Sequence, residues 1–265
     1  MPGLVDPVPV GSVDLIAFDL DDTLAPSKSS LPPRVGELLA QLLGIVEVGV
    51  ISGGQFAQFE TQLIAGLPAS AARLFGRLHL LPTCGTQYYR YEDGWKQQYA
   101  EDLTPGQRAA AMSALEASAK QLGLWEAKTW GPILEDRGSQ VTFSALGQQA
   151  PVDAKRAWDP TGAKKESLRA AVAPLLPDLE VRSGGSTSID ITRLGIDKAY
   201  GMRKLADLTG VPIERMLFVG DRLDEGGNDF PVVSTGVRTH AVRDWEDTAD
   251  FIADFVQRAA AARSS

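Results

Sequence analysis

The stretch that decides the fold is IAFDLDDTLAPSK, residues 16–28. Its apolar start completes a short buried strand, predicted over Val13–Phe18, and three acidic residues follow directly: Asp19, Asp21 and Asp22. Carboxylates this close together repel one another, and removal from water makes their charged state still less favourable. The stretch therefore indicates either a bound cation or a reaction in which one carboxylate attacks and another transfers a proton.

Strands and helices alternate after this stretch. Pro33 and leucines at helical spacing up to Leu43 predict a helix, and apolar runs at residues 46–51 and 78–81 predict two further strands. Such alternation is typical of a parallel sheet covered by helices. The fold class that we predict is α/β, with a Rossmann-like parallel-sheet core.

The middle of the chain has a different pattern, which predicts an inserted α+β domain. Residues 84–97 contain Asp-Gly between aromatic runs, a hairpin signal, and helices are predicted over residues 104–122 and 164–175. The first pattern returns from Ile189, and a last buried strand at residues 216–219 runs into Asp221. We therefore predict a core domain of residues 1–81 and 186–265, interrupted by an α+β cap domain of residues 82–185.

The composition excludes several classes of protein. The 265 residues carry a net charge of −8, whereas nucleic-acid-binding proteins usually present basic patches. The single cysteine, Cys84, allows no intrachain disulfide. The first residues lack the segments of a signal peptide, and no run approaches the roughly 20 apolar residues that span a bilayer. We expect a cytoplasmic protein that binds neither nucleic acid nor membrane; its oligomeric state stays open.

Polar side chains follow several of the predicted strands. The acidic stretch at Asp19 ends the first strand, Ser52 ends the second, and Asp221 ends the last. Lys198 lies in a loop before that last strand. Ligands of parallel α/β sheets bind outside the carboxyl ends of the strands, so we expect these side chains to share one crevice. Such a set suits a phosphoryl group with Mg²⁺, which binds one or two carboxylates together with substrate phosphate.

These motifs resemble, in type and in order, those of the haloacid dehalogenase (HAD) superfamily of phosphotransferases. The matching segments are Asp19-Leu20-Asp21-Asp22-Thr23, Ser52, Gly195-Ile196-Asp197-Lys198, and Gly220-Asp221 with Gly226-Gly227-Asn228-Asp229. Together they span about residues 13 to 230. The placement of the insertion between Ser52 and Lys198 resembles subfamily IIB, whose α+β cap is of the C2 type and whose members often act on sugar phosphates.

The resemblance implies a two-step phosphoryl transfer. Asp19 would be the nucleophile that forms an aspartyl-phosphate, and Asp21 would first protonate the leaving oxygen and then activate the acceptor. Ser52 and Lys198 would hold the phosphoryl oxygens and neutralise the charge that develops on them. Thr23 would organise the loop rather than contact the substrate.

The resemblance also implies Mg²⁺ as the cofactor. Its ligands would be the carboxylates of Asp19 and Asp221 and the main-chain carbonyl of Asp21. Asn228 and Asp229 would lie beside the ion, either as ligands or as groups that orient the ligands. A cation and a lysine would explain why three acidic residues can follow one buried strand.

A closer resemblance is to the eukaryotic-type phosphomannomutases. The segments that carry it are TLAPSK (residues 23–28), EDRGSQVTFSALGQ (135–148), GGSTSIDITRLGIDKAYG (184–201) and FVGDRLDEGGND (218–229). By this resemblance Arg137 would bind substrate phosphate, and Ser188 and Asp190 would contact the sugar or its phosphate. The family has an arginine at the place of Lys28. The implied substrate-binding residues are Lys28, Gly53, Gly54, Arg137, Ser188 and Asp190.

Two positions depart from this family pattern. Gln148 stands where the family has an arginine, and Lys155 falls near another expected arginine. A mutase must bind a phosphate at both ends of a bisphosphorylated intermediate, and the bidentate fork of arginine is not reproduced by glutamine or lysine. We therefore predict a phosphohydrolase that acts on a small phosphorylated metabolite, with a sugar phosphate as the expected substrate. The alternative is a phosphomannomutase.

Two other classes fit part of the pattern. Receiver domains of two-component systems also combine acids, a hydroxyl, a lysine and magnesium on a parallel sheet. They are much shorter, and an insertion of roughly 100 residues before the lysine has no place in them. A binding protein that has lost catalysis is a further alternative, but Asp19 and Asp21 are both present. We therefore favour an enzyme.

Overall fold

The structure is a computed structural model that describes residues 9–263. The strands are β1 Leu15–Phe18, β2 Glu47–Ile51, β3 Leu78–Leu81, β4 Gln87–Tyr91, β5 Trp95–Ala100, β6 Leu134–Asp136, β7 Val141–Ser144, β8 Leu179–Ser183, β9 Ser188–Arg193, β10 Met216–Gly220 and β11 Arg238–Ala241. The α-helices are α1 Pro33–Leu43, α2 Phe56–Gln58, α3 Pro105–Gln121, α4 Val152–Trp158, α5 Ala163–Val172, α6 Lys198–Thr209 and α7 Trp245–Arg263.

Short helical segments of other types complete the secondary structure. The 3₁₀ segments are Val10–Ser12, Ile64–Gly66, Ala69–Arg77, Thr83–Gly85, Ala173–Leu175, Ile213–Arg215 and Phe230–Thr235. A π-helix, Phe59–Leu63, directly follows α2. Phe56, Phe59 and Leu63 have helical spacing, but their segment is a succession of α, π and 3₁₀ turns rather than one regular helix.

The chain divides into two compact units. The core unit contains the described residues up to Gln98 and those from Asp197 onward, and the inserted unit is Tyr99–Ile196. The predicted boundaries, 81/82 and 185/186, lie earlier in the chain than these. The reason is strand pairing: β4 and β5 extend the sheet of the core unit, whereas β8 and β9 belong to the sheet of the inserted unit.

The core unit contains the predicted α/β fold. Its sheet has the order β11-β10-β1-β2-β3-β4-β5, with parallel pairing from β11 to β3 and antiparallel pairing of β3 with β4. In the register of β1, Phe18 lies opposite Val50 of β2 and Val219 of β10. The carboxyl ends of these three strands therefore lie side by side, where parallel sheets of this kind bind ligands.

Helices pack on both faces of the parallel part of this sheet. Ile16 and Phe18 contribute to an apolar cluster that includes residues of α1 and α7. On the opposite face, a Cβ atom placed on Gly49 would lie 2.5 Å from the side chain of Leu205 in α6. Because both faces are covered, β1 is buried at every position rather than at alternate positions.

The inserted unit is built on an antiparallel sheet of order β6-β7-β9-β8. Helix α3 begins as predicted, with Thr104 as N-cap in a reciprocal capping box with Gln107 and with Pro105 at the first position. The side chains of the sheet alternate in direction. Phe143 and Ile191 join the apolar cluster beneath the helices, whereas Thr142 and Asp190, paired across β7 and β9, form part of a polar face.

None of the helices in the described part of the chain is long and apolar enough to cross a membrane. The first residues of the chain lack the segments of a signal peptide, and Met1–Val8 of them lie outside the described residues. The cytoplasmic location stays a prediction.

Candidate active site

Three carboxylates converge where β1 and β10 end. Asp19 follows β1 and Asp221 follows β10, and the loop after Asp221 returns to place Asp229 beside them. One carboxylate oxygen from each of the three lies within 4.8 Å of those of the other two. Asp19 and Asp229 are almost completely buried, whereas Asp221 is half-buried. The crevice predicted from the polar strand ends therefore contains an acid cluster, defined here as Asp19, Asp221 and Asp229.

Lys198 lies inside this cluster. Its Nζ atom is 2.6 Å from Asp19 Oδ1 and 2.5 Å from Asp229 Oδ1, and the side chain is only 2% exposed. Burial alone would lower the pKa of Lys198, but attraction by the two carboxylates outweighs burial and raises it. Burial also raises the pKa of Asp19, and repulsion from Asp229 adds to this while Lys198 opposes it. Lys198 is thus held charged between two acids.

The position of Lys198 depends on close backbone packing. Lys198 is the first residue of α6, and the N-cap Asp197 accepts a hydrogen bond from Tyr200 N at 2.9 Å. Helix α6 also lies against the segment Thr83–Gly85, since a Cβ atom on Gly201 would be 2.9 Å from the carbonyl oxygen of Cys84. Glycine at this position therefore lets the helix approach closely enough to bury the lysine.

Asp221 is oriented by Thr23, which is fully buried. Thr23 Oγ1 donates to Asp221 Oδ1 at 2.9 Å and accepts from Asp221 N at 3.1 Å. Burial raises the pKa of Asp221, and the hydrogen bond from Thr23 opposes this rise. This reciprocal pair agrees with the predicted organising role of Thr23 and links the first acidic stretch to the end of β10.

Asn228 and Asp229 are adjacent in the loop after Asp221, but they lie in different environments. Asp229 Oδ2 accepts from Arg222 N at 3.0 Å and lies in the acid cluster, whereas Asn228 is exposed. The loop is tight, because a Cβ atom on Gly227 would lie 2.0 Å from the carbonyl oxygen of Arg222. Asp229 is therefore the better placed of the two residues to bind a cation.

Asp21 lies in a network of its own. Its Oδ1 atom accepts from Lys28 N at 2.8 Å and from Gln62 Nε2 at 3.1 Å, and its Oδ2 atom accepts from Lys28 Nζ at 2.7 Å and from Gln58 Nε2 at 3.1 Å. Burial would raise the pKa of Asp21, but the Lys28 charge and the hydrogen bonds outweigh burial and lower it to about 2. Both side-chain oxygens of Asp21 therefore accept two hydrogen bonds each.

The two glutamines of this network were not predicted from the sequence. Gln58 and Gln62 are four residues apart, a spacing that brings side chains together on one helical face. That spacing, next to apolar residues at positions 59 and 63, predicts that the two glutamines lie side by side. Their partner Asp21 lies far away along the chain, so the spacing alone could not assign the contact.

The loop after β2 contains Ser52, Gly53 and Gly54. Ser52 is 3% exposed, and its Oγ atom accepts from Gly54 N at 3.1 Å. A Cβ atom on Gly54 would lie 2.2 Å from Gln58 Oε1, so the absence of a side chain makes room for that glutamine. The loop that we expect to hold a phosphoryl group is thus packed directly against one partner of Asp21.

The remaining predicted substrate residues lie in the inserted unit. Arg137 forms an ion pair with Glu135, with 2.6 Å between Nη2 and Oε2. Asp190 Oδ1 accepts from Thr142 Oγ1 at 2.7 Å and from Gln140 Nε2 at 2.8 Å. The hydroxyl of Ser188 lies 3.3 Å from that of Ser144 on the same polar face.

The two positions that depart from the family pattern have neutral partners in the inserted unit. Gln148 Nε2 donates to Ser144 Oγ at 2.5 Å. Lys155 Nζ donates to the carbonyl oxygen of Gln148 at 2.7 Å. Gln148 therefore continues the chain of neutral polar groups that includes Ser144 and Ser188.

The acid cluster fits a divalent cation. One ammonium group contacts two of the three carboxyl groups, and repulsion from Asp229 and Asp221 contributes to the raised pKa of Asp19, so a divalent cation would relieve that repulsion in a mostly buried site. Oxygen ligands from carboxylates are those that Mg²⁺ prefers, and the ion usually completes its shell with water and substrate phosphate. The donor set is therefore suitable for Mg²⁺ with a phosphoryl group.

Comparison with known proteins indicates the family of the chain. The model of the family "Eukaryotic phosphomannomutase" matches residues 125–258. The phosphomannomutase of Encephalitozoon cuniculi is 23% identical over 239 residues, covering 82% of this chain and 83% of that protein. That of Dendrobium officinale is 24% identical over 258 residues, covering 94% and 93%. A haloacid dehalogenase-like hydrolase from Bacteroides thetaiotaomicron has a similar structure, with a TM-score of 0.61, 17% identity and coverage of 91% and 99%.

The family match covers slightly more than half of the chain, from within the inserted unit to the C-terminal helix α7. The relatives extend the similarity over the first acidic stretch, and the solved structure shares the fold. The resemblance to the eukaryotic-type phosphomannomutases is confirmed, and the chain, which shares the fold of a haloacid dehalogenase-like hydrolase, belongs to the eukaryotic phosphomannomutase family.

Proposed function

We propose that this protein is a magnesium-dependent sugar-phosphate mutase that transfers a phosphoryl group through an aspartyl-phosphate on Asp19. The observation that carries the proposal is the buried ion pair of Asp19 with Lys198 inside the acid cluster. Family membership and the phosphomannomutase relatives favour the mutase over the phosphohydrolase that we predicted from the sequence.

The first step is attack of an Asp19 carboxylate oxygen on phosphorus. The bond between phosphorus and the donor sugar oxygen breaks, and that oxygen takes a proton from Asp21. Asp21 takes up that proton from solvent once the substrate phosphate has drawn away Lys28, whose charge otherwise lowers the pKa of Asp21. Lys198 lies beside the attacking carboxylate and neutralises charge on the phosphoryl oxygens. Ser52 and the amides of Gly53 and Gly54 are the proposed contacts of the same oxygens.

The second step returns the phosphoryl group to a sugar. A hydroxyl of the acceptor sugar phosphate gives its proton to Asp21 and attacks phosphorus, and the bond from phosphorus to Asp19 breaks. Asp19, Asp221 and Asp229 would hold Mg²⁺, together with the main-chain carbonyl of Asp21, and the bound ion would neutralise the transferring phosphoryl group. Thr23 keeps Asp221 in position for this role.

Sugar recognition is assigned to the polar face of the inserted unit. Ser188 and Asp190 offer a hydroxyl and a carboxylate, which suit sugar hydroxyl groups. Arg137 and Lys28 are the proposed phosphate contacts. Both are paired with acids, so a substrate phosphate must displace Glu135 from Arg137 and Asp21 from Lys28.

A phosphohydrolase acting on the same sugar phosphates is the second candidate. The observation that favours it is the uncharged side chain of Gln148, which donates to Ser144 Oγ, while its main-chain carbonyl accepts from Lys155 Nζ. A glutamine provides no charged fork for the second phosphate of a bisphosphorylated sugar. In this candidate, water takes the phosphoryl group from Asp19.

One assay separates the two candidates. Purified protein is given mannose 1-phosphate or glucose 1-phosphate with glucose 1,6-bisphosphate and Mg²⁺, and sugar 6-phosphate and free phosphate are measured in the same tube. The mutase forms 6-phosphate faster than free phosphate. The 1-phosphate is in large excess over the bisphosphate, because hydrolysis of the bisphosphate also leaves a glucose monophosphate. Release of free phosphate with no 6-phosphate beyond the amount of bisphosphate added selects the hydrolase, and formation of neither product contradicts both candidates.

A further inference from the structure

The hydrogen bonds around Asp21 form a closed ring. Lys28 Nζ donates both to Asp21 Oδ2 and to Gln58 Oε1, at 2.7 and 2.9 Å. Gln58 Nε2 donates to Asp21 Oδ2 and to Gln62 Oε1, at 3.1 and 2.8 Å, and Gln62 Nε2 returns to Asp21 Oδ1 at 3.1 Å. We call Lys28, Gln58 and Gln62 the Asp21 clamp.

We propose that Gln58 and Gln62 are positioning residues that hold Asp21 in a resting position, and thereby slow transfer of the phosphoryl group from Asp19 to water. The inference rests on the aspartyl-phosphate chemistry of the proposed function. It adds that the clamp influences whether water or a second sugar phosphate takes the phosphoryl group.

The clamp acts on the step that consumes the aspartyl-phosphate. In hydrolysis, a water oxygen attacks phosphorus, one water proton goes to an Asp21 carboxylate oxygen, and the bond from phosphorus to Asp19 breaks. The products are inorganic phosphate and the free carboxylate of Asp19. Each oxygen of Asp21 already accepts two hydrogen bonds, so at least one must be given up before a water proton can be taken.

The local structure indicates that the glutamines serve Asp21 rather than the fold alone. Gln62 is 3% exposed, and burial of an amide side chain is unfavourable unless all its polar atoms are bonded. It lies in the π-helix Phe59–Leu63, and short π segments within helices often occur at functional sites. Its side-chain nitrogen bonds to a carboxylate rather than to a backbone group, so the hydrogen bonds that an apolar residue would remove are those with Asp21 and Gln58.

A phosphorylated acceptor can open the clamp, whereas water cannot. Lys28 closes the ring through two hydrogen bonds and is also a proposed phosphate contact. A substrate phosphate that draws Lys28 Nζ away removes one bond from Asp21 and one from Gln58 together. Gln58 packs against Gly54 of the loop proposed to hold the phosphoryl group, so both events occur in one small region.

The test uses Gln62→Met and Gln58→Met, which keep side-chain length but remove the amide. The matched control is Gln41→Met, because Gln41 is an exposed glutamine of α1 outside the clamp. Enzyme in excess is mixed with labelled glucose 1,6-bisphosphate and Mg²⁺ for a single turnover. Free phosphate and sugar 6-phosphate are then followed, and circular dichroism verifies folding.

We expect phosphate release to become about tenfold faster in both clamp variants, corresponding to the loss of one hydrogen bond to a charged group. The control should release phosphate at the wild-type rate. If Gln62→Met does not fold, the half-buried position of Gln58 allows Gln58→Met to decide the outcome.

Unchanged or slower phosphate release in the folded clamp variants would overturn the proposal, since the glutamines would then only support the loop. The glucose monophosphate left by the bisphosphate reports formation of the aspartyl-phosphate, which both candidates require. Steady-state conversion of mannose 1-phosphate into mannose 6-phosphate by the wild-type protein tests the mutase separately. A protein that does not convert mannose 1-phosphate but releases phosphate from the bisphosphate faster after Gln62→Met would contradict the mutase and support the clamp.

Discussion

Lys198 Nζ lies 2.6 Å from Asp19 Oδ1, and both side chains are at most 5% exposed. Charged groups in such a place are costly to bury, and loss of the ammonium group would leave its carboxylate partners without their cation. Lys198 also contacts Asp229, so one ammonium group compensates two buried carboxylates. Stability and the proposed chemistry therefore depend on the same side chain.

Lys198→Met is expected to lower the free energy of unfolding by about 3–5 kcal/mol, the usual loss when one partner of a buried ion pair is removed. Methionine fills most of the space but leaves two buried carboxylates without their cation. Urea unfolding followed by circular dichroism measures the loss, and Lys204→Met is the control, because Lys204 lies on the same helix and away from the acid cluster. A variant as stable as wild type would show that the pair is solvated in solution.

Asp19→Asn is expected to abolish turnover without reducing stability. The amide does not attack phosphorus effectively, whereas its shape is nearly that of the carboxylate. The pKa of Asp19 is raised by burial, which means that its charge is unfavourable in the folded state. Lys198 keeps Asp229 as its charged partner, so a neutral side chain at position 19 should not destabilise the fold. Turnover of mannose 1-phosphate and the urea midpoint are measured on the same preparation.

The control for this substitution is Asp22→Asn. Asp22 is exposed and has a φ angle of 65°, a left-handed conformation that asparagine adopts readily. We expect this variant to keep wild-type turnover. Wild-type rates in Asp19→Asn would instead remove Asp19 from the role of nucleophile.

Magnesium removal is expected to stop turnover, and added Mg²⁺ should restore it. The ion should also stabilise the protein in the absence of substrate, by about 2.7 kcal/mol at a concentration of 100 times its Kd. The stabilisation should be smaller in Asp221→Asn, since one of the three clustered carboxylates is then neutral. Thermal unfolding with and without Mg²⁺ measures this effect. Full turnover in the presence of a chelator would contradict a metal-dependent reaction.

The strand ends of the core unit could be predicted from the sequence, whereas the clamp could not. Each of β1, β2 and β10 is a local apolar run that stops at a polar residue, and the parallel arrangement brings Asp19, Ser52 and Asp221 to one edge. The contact of Asp21 with Gln62 depends instead on how two distant segments fold together. No local sequence pattern predicts that contact.

Strand pairing explains the other differences. The hairpin of β4 and β5 was predicted from Asp-Gly between aromatic residues, but the hairpin signal does not say which sheet it joins. β4 pairs with β3 and therefore belongs to the core unit. β9 has the alternating pattern of a strand, but the pattern does not show which sheet the strand joins. It pairs with β7 and β8 of the inserted unit, so that unit ends after β9 rather than before it.

Acidification is expected to destabilise the protein just below pH 6.5 through His79. This side chain is 1% exposed and lies between Tyr88 Oη at 2.8 Å and Glu47 Oε2 at 2.9 Å. Burial lowers the pKa of His79 from 6.5, although Glu47 opposes this. The unfolded chain therefore takes up a proton at a higher pH than the folded protein, so stability falls as the pH drops through 6.5.

Urea unfolding at several pH values tests this effect, with His79→Gln as the comparison. The glutamine variant should lose less stability than wild type between neutral pH and pH 6. The pKa of His240 is also lowered by burial, so this residue should still make stability fall with decreasing pH in both proteins. Parallel pH profiles for the two proteins would show that His79 titrates equally in the folded and unfolded states.

Restoring arginines at two positions is expected to shift the products towards sugar 6-phosphate. In Gln148→Arg with Lys155→Arg, charged forks replace an amide that bonds to Ser144 and a lysine that bonds to the Gln148 carbonyl. A bidentate contact with the second phosphate of a bisphosphorylated sugar should raise acceptor binding by roughly 10- to 150-fold, from hydrogen bonds to charged groups of about 1.5–3 kcal/mol.

The measurement is the ratio of 6-phosphate to free phosphate formed from mannose 1-phosphate with glucose 1,6-bisphosphate. Gln149→Arg is the control, because it adds the same charge at the exposed neighbouring position without entering the polar chain of Ser144 and Ser188. Since water carries no phosphate, its attack on the aspartyl-phosphate should not gain from the new arginines. An equal ratio in the double variant and the control would mean that positions 148 and 155 do not face the acceptor phosphate, and that another group of the inserted unit binds it.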